Sequence, residues 1–140
     1  MRATNFTWRD SIYIQVDDED YDLHNNFNFR QFTYDPAGQL LILEWERGTG
    51  DWVSQGQPRL ILLRLQGVTQ FSFKERDPKL PFSEDDCLAS FCYASDEDWA
   101  NGQFWVDKQP EDDWRWSFIF QSGAEIEVSG DTATIEISRE

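Results

Sequence analysis

Carboxylates are the most frequent reactive side chains of this sequence, and they are concentrated in four short runs. The runs occupy residues 17–20, 84–86, 96–98 and 111–113. Hard cations such as Ca²⁺ bind carboxylate oxygens that loops of this kind supply. None of the runs has the spaced acids and the turning glycine of an EF-hand loop, and consecutive acids point in divergent directions. We therefore interpret them as solvated loop charge or as an acidic protein-binding patch, and we predict no metal site.

Histidine chemistry would depend on a single residue, because His24 is the only histidine. A multi-histidine metal site is thereby excluded, and the polar neighbours Asp22, Asn25 and Asn26 predict a solvated loop. The chain has no nucleophile elbow, phosphate loop or dinucleotide fingerprint. Its 27 acidic residues would allow an acid pair for glycoside hydrolysis, but no spacing indicates one. We predict no catalytic residue and no cofactor.

Seven tryptophans are a second group with binding chemistry. Trp114 and Trp116 lie on the apolar face of a predicted strand and are expected in the core. Trp8, Trp52 and Trp99 lie in polar neighbourhoods, where an exposed indole would stack on a sugar or anchor a protein interface. The alternative is that they cap the open ends of a β core. The residues that we predict for a possible binding surface are Asp18, Asp20, Trp52, Asp96, Asp98, Trp99 and Asp112.

The charge of the chain is strongly one-sided, with 12 basic against 27 acidic residues and a net charge of −15. Such a field repels nucleic acid and anionic membranes, and it attracts a basic protein or a cation. A solvated acidic surface without a specific partner is the alternative, since negative charge alone aids solubility. The partner that the charge predicts is a basic protein, and the oligomeric state stays open.

The two cysteines indicate a compartment. Cys87 and Cys92 are five residues apart, which is neither a zinc nor a redox spacing. On one strand an odd spacing places them on opposite faces, so a bridge between them is excluded. Two free thiols suit a reducing environment, and residues 1–10 have no apolar signal segment. A cytoplasmic location is expected.

The clearest structural pattern lies in the last quarter of the chain. Apolar and polar residues alternate in 114–120, 124–128 and 132–138, the period of half-buried strands. Facing Phe118 with Ile126 leaves a three-residue turn that ends in Gly123, and facing Val128 with Ala133 leaves a two-residue turn that begins at Gly130. A three-stranded antiparallel meander is predicted.

Shorter strands and turns organise the rest of the chain and place the acids and tryptophans in the connections. A short helical turn is expected at 95–102, capped by Ser95, and a hairpin at Gln66-Gly67 would pair Leu62 with Phe71. The further strands are predicted at 12–16, 27–34, 40–46, 59–65, 68–74, 87–94 and 104–106. The fold class expected for residues 1–140 is one all-β domain, an antiparallel β-sandwich or partly closed barrel with a C-terminal meander.

Three segments carry a family resemblance: residues 59–73, which turn at Gly67-Val68, the proline loop 77–81 (Asp-Pro-Lys-Leu-Pro), and the closing strands 116–128. Together they resemble small uncharacterised bacterial all-β families, several of them grouped with the immunity proteins of polymorphic toxin systems. The resemblance implies a cytoplasmic, acidic, non-enzymatic protein that neutralises one toxin by covering it. It transfers no functional residue.

Three functions follow as hypotheses. The first is a non-enzymatic, acidic, immunity-like module that binds a basic protein. The second is a small-molecule or carbohydrate-binding β-barrel or sandwich, in which the doubly apolar strands 40–43 and 59–65 border a cavity. The third is a hydrolase with an acid pair. A site is expected in the loops 17–26, 48–58 and 95–113.

Overall fold

Twelve strands make up most of the molecule. The computed structural model describes residues 1–140 and adds to the strands one short helix, α1 (Asp96–Ala100), and one 3₁₀ turn, Phe82–Glu84. The strands are β1 (Arg2–Ala3), β2 (Thr7–Arg9), β3 (Tyr13–Val16), β4 (Glu19–Asp22), β5 (Phe27–Asp35), β6 (Leu40–Arg47), β7 (Leu60–Gln66), β8 (Gln70–Lys74), β9 (Leu88–Ala94), β10 (Arg115–Phe120), β11 (Glu125–Ser129) and β12 (Thr132–Ser138). Neither helix is long and apolar enough to cross a membrane.

The strands form two facing sheets and a smaller third one. The first sheet has the order β1-β12-β7-β6-β5 and the second β8-β11-β10-β9. Aromatic side chains meet between them, with ring centroids 4.6 Å apart for Phe29 and Phe120 and 6.3 Å apart for Trp45 and Phe118. Each sheet keeps two edge strands, so the all-β prediction is confirmed as a sandwich and not as a closed barrel.

The third sheet, β2-β3-β4, packs on β9 and β10 of the second sheet through Trp8. Alternation along β2 turns Trp8 inward between Thr7 and Arg9, and its ring stacks on Phe91 with centroids 3.6 Å apart. Trp8 is only 3% exposed, so of the two alternatives it is the core position, and not an exposed indole, that the ring takes. The strand predicted at 12–16 ends at Val16, and Asp17 and Asp18 form a tight turn with positive φ that leads into β4.

The predicted C-terminal meander is half correct. β10 and β11 form the expected hairpin, with Phe118 opposite Ile126, and Gly123 takes a φ of +85° in its turn. The third strand does not continue that sheet: β12 pairs with β7, and Ala133 faces Leu65 instead of Val128. The three-stranded meander is therefore wrong in its second hairpin.

The hairpin predicted at Gln66-Gly67 is wrong for the same reason. β7 lies in the first sheet, whereas β8 pairs with β11 in the second, where Phe71 faces Val128. The β7–β8 and β11–β12 connections both pass from one sheet to the other, and they run side by side. Two hydrogen bonds join them, from the Asp131 N–H to the Gln66 carbonyl oxygen at 3.0 Å and from the Thr69 N–H to the Ser129 carbonyl oxygen at 2.9 Å. Strands that switch sheets do so at bends, and a glycine bend has the same sequence signal as a tight hairpin turn.

Close packing at this corner requires glycine. A Cβ on Gly130 would lie 3.1 Å from the Val68 Cα and 3.2 Å from the Gly67 carbonyl oxygen. Gly67 itself has a φ of +66°, in the left-handed region that disfavours residues with a Cβ.

Replacing Gly67 with alanine is expected to lower the free energy of unfolding by about 1–3 kcal/mol, because the left-handed conformation is strained for alanine. The added Cβ would also displace the Asp131 carboxylate, which lies 2.1 Å from its position. Urea denaturation measures the change. The matched control is Gly56→Ala, where φ is not left-handed and the nearest atom is the Ser54 Oγ at 3.3 Å. Equal losses of stability for the two substitutions would contradict the left-handed conformation and close packing described for Gly67.

The local signals for α1 are confirmed. Ser95 caps the helix, its Oγ accepting the Asp98 N–H at 3.1 Å, and the acids in the first turn suit the positive end of the helix. The strand predicted at 104–106 is reduced to one bridge, between Trp105 and Tyr93.

Candidate functional site

A cleft opens along one side of the sandwich, where edge strand β5 of the first sheet faces edge strand β8 of the second. Its volume is about 660 Å³, and it is open to solvent. We call it the phenylalanine cleft because five phenylalanines line it: Phe29, Phe32, Phe73, Phe82 and Phe120. It is the largest apolar concave surface of the molecule.

The cleft lies between two places where the sheets are joined. One is the contact between β5 and β8, and the other is segment 84–87, where the Phe29 N–H donates to the Asp86 carbonyl oxygen and the Gln121 N–H donates to the Cys87 carbonyl oxygen. Phe32 of β5 contacts Phe71 and Phe73 of β8, with centroids 5.5 and 5.2 Å apart. Beyond that contact β8 ends at Lys74, and the chain continues against the β10–β11 turn, where the Asp77 N–H donates to the Ser122 carbonyl oxygen at 2.7 Å. Phe29 and Phe120 therefore form a floor that no further strand covers.

Two phenylalanines at the mouth of the cleft are unusually exposed. Phe82 is 80% exposed on the 3₁₀ turn, and Phe73 is 47% exposed at the end of β8. The guanidinium of Arg76 lies 4.4 Å from the centre of the Phe82 ring, a cation–π contact that holds the ring at the rim. Large apolar side chains exposed together beside a concave surface indicate an interaction site.

Arg76 also fixes the loop that forms one wall. Its Nε donates to both carboxylate oxygens of Asp85, at 2.9 and 3.0 Å, and its Nη2 donates to the Leu80 carbonyl oxygen at 2.6 Å. Partial burial raises the pKa of Asp85, but the hydrogen bonds from Arg76 and Ser122 and the Arg76 charge outweigh it and lower that pKa overall. Asp85 is therefore an ionised, paired carboxylate.

Asp86, the next residue, lines the cleft without such a partner. Its main chain is fixed, because the Phe29 N–H donates to the Asp86 carbonyl oxygen at 2.7 Å. Partial burial raises the pKa of its carboxyl group most, its own backbone N–H opposes the rise, and the charges of Glu84, Asp85 and Glu46 add to it. No basic side chain lies within 4.0 Å of this carboxylate.

The predicted surface residues lie elsewhere, on four different segments of the chain. Asp18 and Asp20 are exposed on the β3–β4 hairpin, where Asp20 pairs with Arg9. Asp112 is exposed in the segment before β10. Trp52 is 73% exposed in its own loop, and its Nε1 donates to the Asn25 carbonyl oxygen at 2.8 Å.

Helix α1 brings the remaining three together. Asp96 pairs with Arg115 at 3.3 Å, and Asp98 accepts a hydrogen bond from the Trp105 Nε1 at 3.1 Å. Trp99 is half-buried, because Arg115 lies over its ring and Phe104 packs against its side. None of the seven predicted residues lines the phenylalanine cleft, and the binding surface that they would form stays a prediction.

His24 is not the solvated residue that its neighbours predicted. It is half-buried, with its Nδ1 2.6 Å from the Leu88 carbonyl oxygen and 3.4 Å from the Cys87 Sγ. A carbonyl oxygen only accepts, so the Nδ1 carries a proton and is not a base for the thiol. Burial, followed by the charges of Glu84, Asp86 and Asp22, raises the pKa of Cys87, which disfavours a thiolate nucleophile. Both cysteines are free thiols.

No group of three or more histidine, cysteine, aspartate or glutamate side chains has the arrangement of a metal site. Comparison with protein families, with curated proteins and with solved structures found no match.

The phenylalanine cleft was missed from the sequence, and it lies outside the three loops where a site was expected. Phe73 alternates along its strand as core residues do, but Phe29 and Phe32 are three residues apart. They share the inward face because β5 has a bulge between Phe29 and Gln31. The one available signal was Phe82. It directly follows the proline loop 77–81, which cannot form regular structure, so no predicted strand places its side chain in the core.

Proposed function

We propose that the protein is a non-enzymatic binding module that attracts a basic partner protein through its net negative charge and docks it at the phenylalanine cleft. The observation that carries the proposal is the cleft mouth, where Phe73 and Phe82 are exposed beside a concave apolar floor. Interface anchors are typically aromatic side chains next to a pocket, surrounded by polar residues.

The charge of the molecule supports a basic partner. Six of the 27 acidic residues form ion pairs, which leaves 21 without a cationic neighbour within 4.0 Å. The resulting field steers a positively charged protein toward the surface and weakens as salt rises. The same field disfavours a second copy of this chain at the cleft, because both copies would carry a charge of −15.

A small-molecule or carbohydrate-binding module is the alternative. The cleft volume of about 660 Å³ lies within the range of ligand pockets, roughly 300–1,000 Å³. Sugar stacking has less support than an apolar ligand, because Trp8 is buried and Trp99 is packed against Phe104. Trp52 then stands alone, without the row of exposed indoles that a sugar surface would use.

An acid-pair hydrolase is supported by one observation only. Asp85 and Asp86 both line the cleft, and their pKa values are shifted in opposite directions, as in sites where one carboxyl group is the acid and another the base. Both oxygens of Asp85, however, accept the Arg76 Nε–H. Since that carboxylate is held by Arg76, a binding role is preferred.

Selection from a library of displayed protein domains tests the proposal. At low salt the protein is expected to enrich basic domains, whose affinity falls steeply as salt is raised, because the attraction is between unlike charges. Recovery of acidic and neutral domains as often as basic ones would contradict the proposal. Thermal stabilisation by members of a small-molecule collection, without any enriched domain, would favour the alternative.

A further inference from the structure

We infer that the phenylalanine cleft takes a lysine or arginine side chain of the partner, with Asp86 accepting the cation and Phe82 covering the methylene stem. The inference rests on the proposed function and names the chemistry by which the cleft would recognise its occupant. It is carried by the unpaired acid, by the exposed ring that lines the same cleft and by the charge balance of the cleft.

Asp86 is the carboxylate of the cleft that lacks a partner. Its neighbour Asp85 is neutralised by Arg76, whereas Asp86 has neither an ion pair nor a hydrogen bond from another side chain, although it is half-buried. A charge that is partly removed from water is unfavourable unless it is paired. A cation that enters the cleft would supply that pair. The hydrogen bond from the Phe29 N–H to the Asp86 carbonyl oxygen fixes the main chain that carries this carboxylate.

Phe82 is suited to cover the stem of such a side chain. It already accepts one cation, Arg76, and still is 80% exposed, so most of its surface is open to a second group. Lysine and arginine bury their methylene stems along apolar surface while the charged head finds a polar partner. The phenylalanine floor would receive the apolar residues that flank the cation in the partner.

The charge balance of the cleft favours a cation over an anion. Its lining holds two arginines and three acids: Arg30, Arg76, Glu75, Asp85 and Asp86. Because Arg76 is occupied by Asp85, an entering anion would find only Arg30, while Asp86 and the nearby Glu84 would repel it. An entering lysine or arginine is instead attracted by Asp86 and Glu84.

Two short peptides and one substitution test the inference. The peptides are acetyl-Ser-Phe-Lys-Phe-Ser-amide and the same sequence with norleucine in place of lysine, titrated to millimolar concentration and followed by ¹H–¹⁵N chemical shifts of the cleft residues. The wild-type protein is expected to bind the lysine peptide about tenfold more tightly, the usual size of one charge-assisted hydrogen bond. Asp86→Asn is expected to abolish that preference.

The matched control is Asp113→Asn, which removes the same charge from an exposed position outside the cleft. It is expected to keep the tenfold preference, and this separates a local contact from the general attraction of the acidic surface. If Asp86→Asn keeps the preference while Phe73 and Phe82 signals still shift, the role of Asp86 is overturned and docking at the cleft stands. If neither peptide shifts the cleft signals of the wild-type protein, both the inference and the docking role of the cleft are overturned.

Discussion

Replacement of Trp116 by alanine is expected to lower the free energy of unfolding by about 3–5 kcal/mol, the usual cost of removing a fully buried aromatic side chain. Trp116 has no exposed surface. Its ring makes edge contacts with Phe6, Trp8 and Phe91, which belong to different strands or connections. The neighbouring side chains cannot fill the space that the indole leaves, so most of the cavity would remain. Urea denaturation measures the loss of stability.

Trp116→Phe is the matched control for this prediction. It keeps an aromatic ring and removes the indole N–H, which is buried without a hydrogen-bond partner. An unpaired buried donor is costly, so its removal offsets part of the lost packing and the substitution is expected to be much less destabilising than alanine. Equal losses for phenylalanine and alanine would contradict the described packing between the third sheet and the sandwich.

The double substitution Phe73→Ala and Phe82→Ala is expected to weaken binding of a selected basic domain by about 100-fold or more, because aromatic anchors at an interface centre each contribute strongly. The folded state should lose little, since Phe82 is 80% and Phe73 47% exposed. Binding is measured by titration calorimetry, and urea denaturation of the same protein shows that the loss is not unfolding. A large loss of stability would mean that the two rings belong to the core.

Local patterns predicted the strands well and their partners less well. The β10–β11 hairpin followed from alternation and from Gly123, because its turn and its register are set by neighbouring residues. The pairing of β12 could not be predicted in the same way, because Gly130 and Gly67 permit either a hairpin or a bend between sheets. Which of the two forms depends on the core that Ala133 and Leu65 share in the other sheet, and that contact is not local.

The phenylalanine cleft could not be predicted from any single segment of the sequence, because it depends on how two sheet edges are placed. Alternation places Phe29, Phe73 and Phe120 on inward faces, but it does not say that two sheet edges stay apart beside them. Trp8 is a second case, because its polar neighbourhood left both exposure and burial open and a long-range stack on Phe91 buried the ring. Exposure of an aromatic residue is decided by what the rest of the chain places over it.

Docking of a basic partner at the phenylalanine cleft is the central claim, and titration calorimetry of one selected basic domain tests it most directly. The domain is titrated into the wild-type protein, the Phe73→Ala/Phe82→Ala variant and Trp52→Ala, in which an equally exposed aromatic residue outside the cleft is removed. We expect the cleft variant to lose about 100-fold or more in affinity and Trp52→Ala to bind as the wild type does. Full affinity of the cleft variant, with the loss found at Trp52 instead, would contradict it.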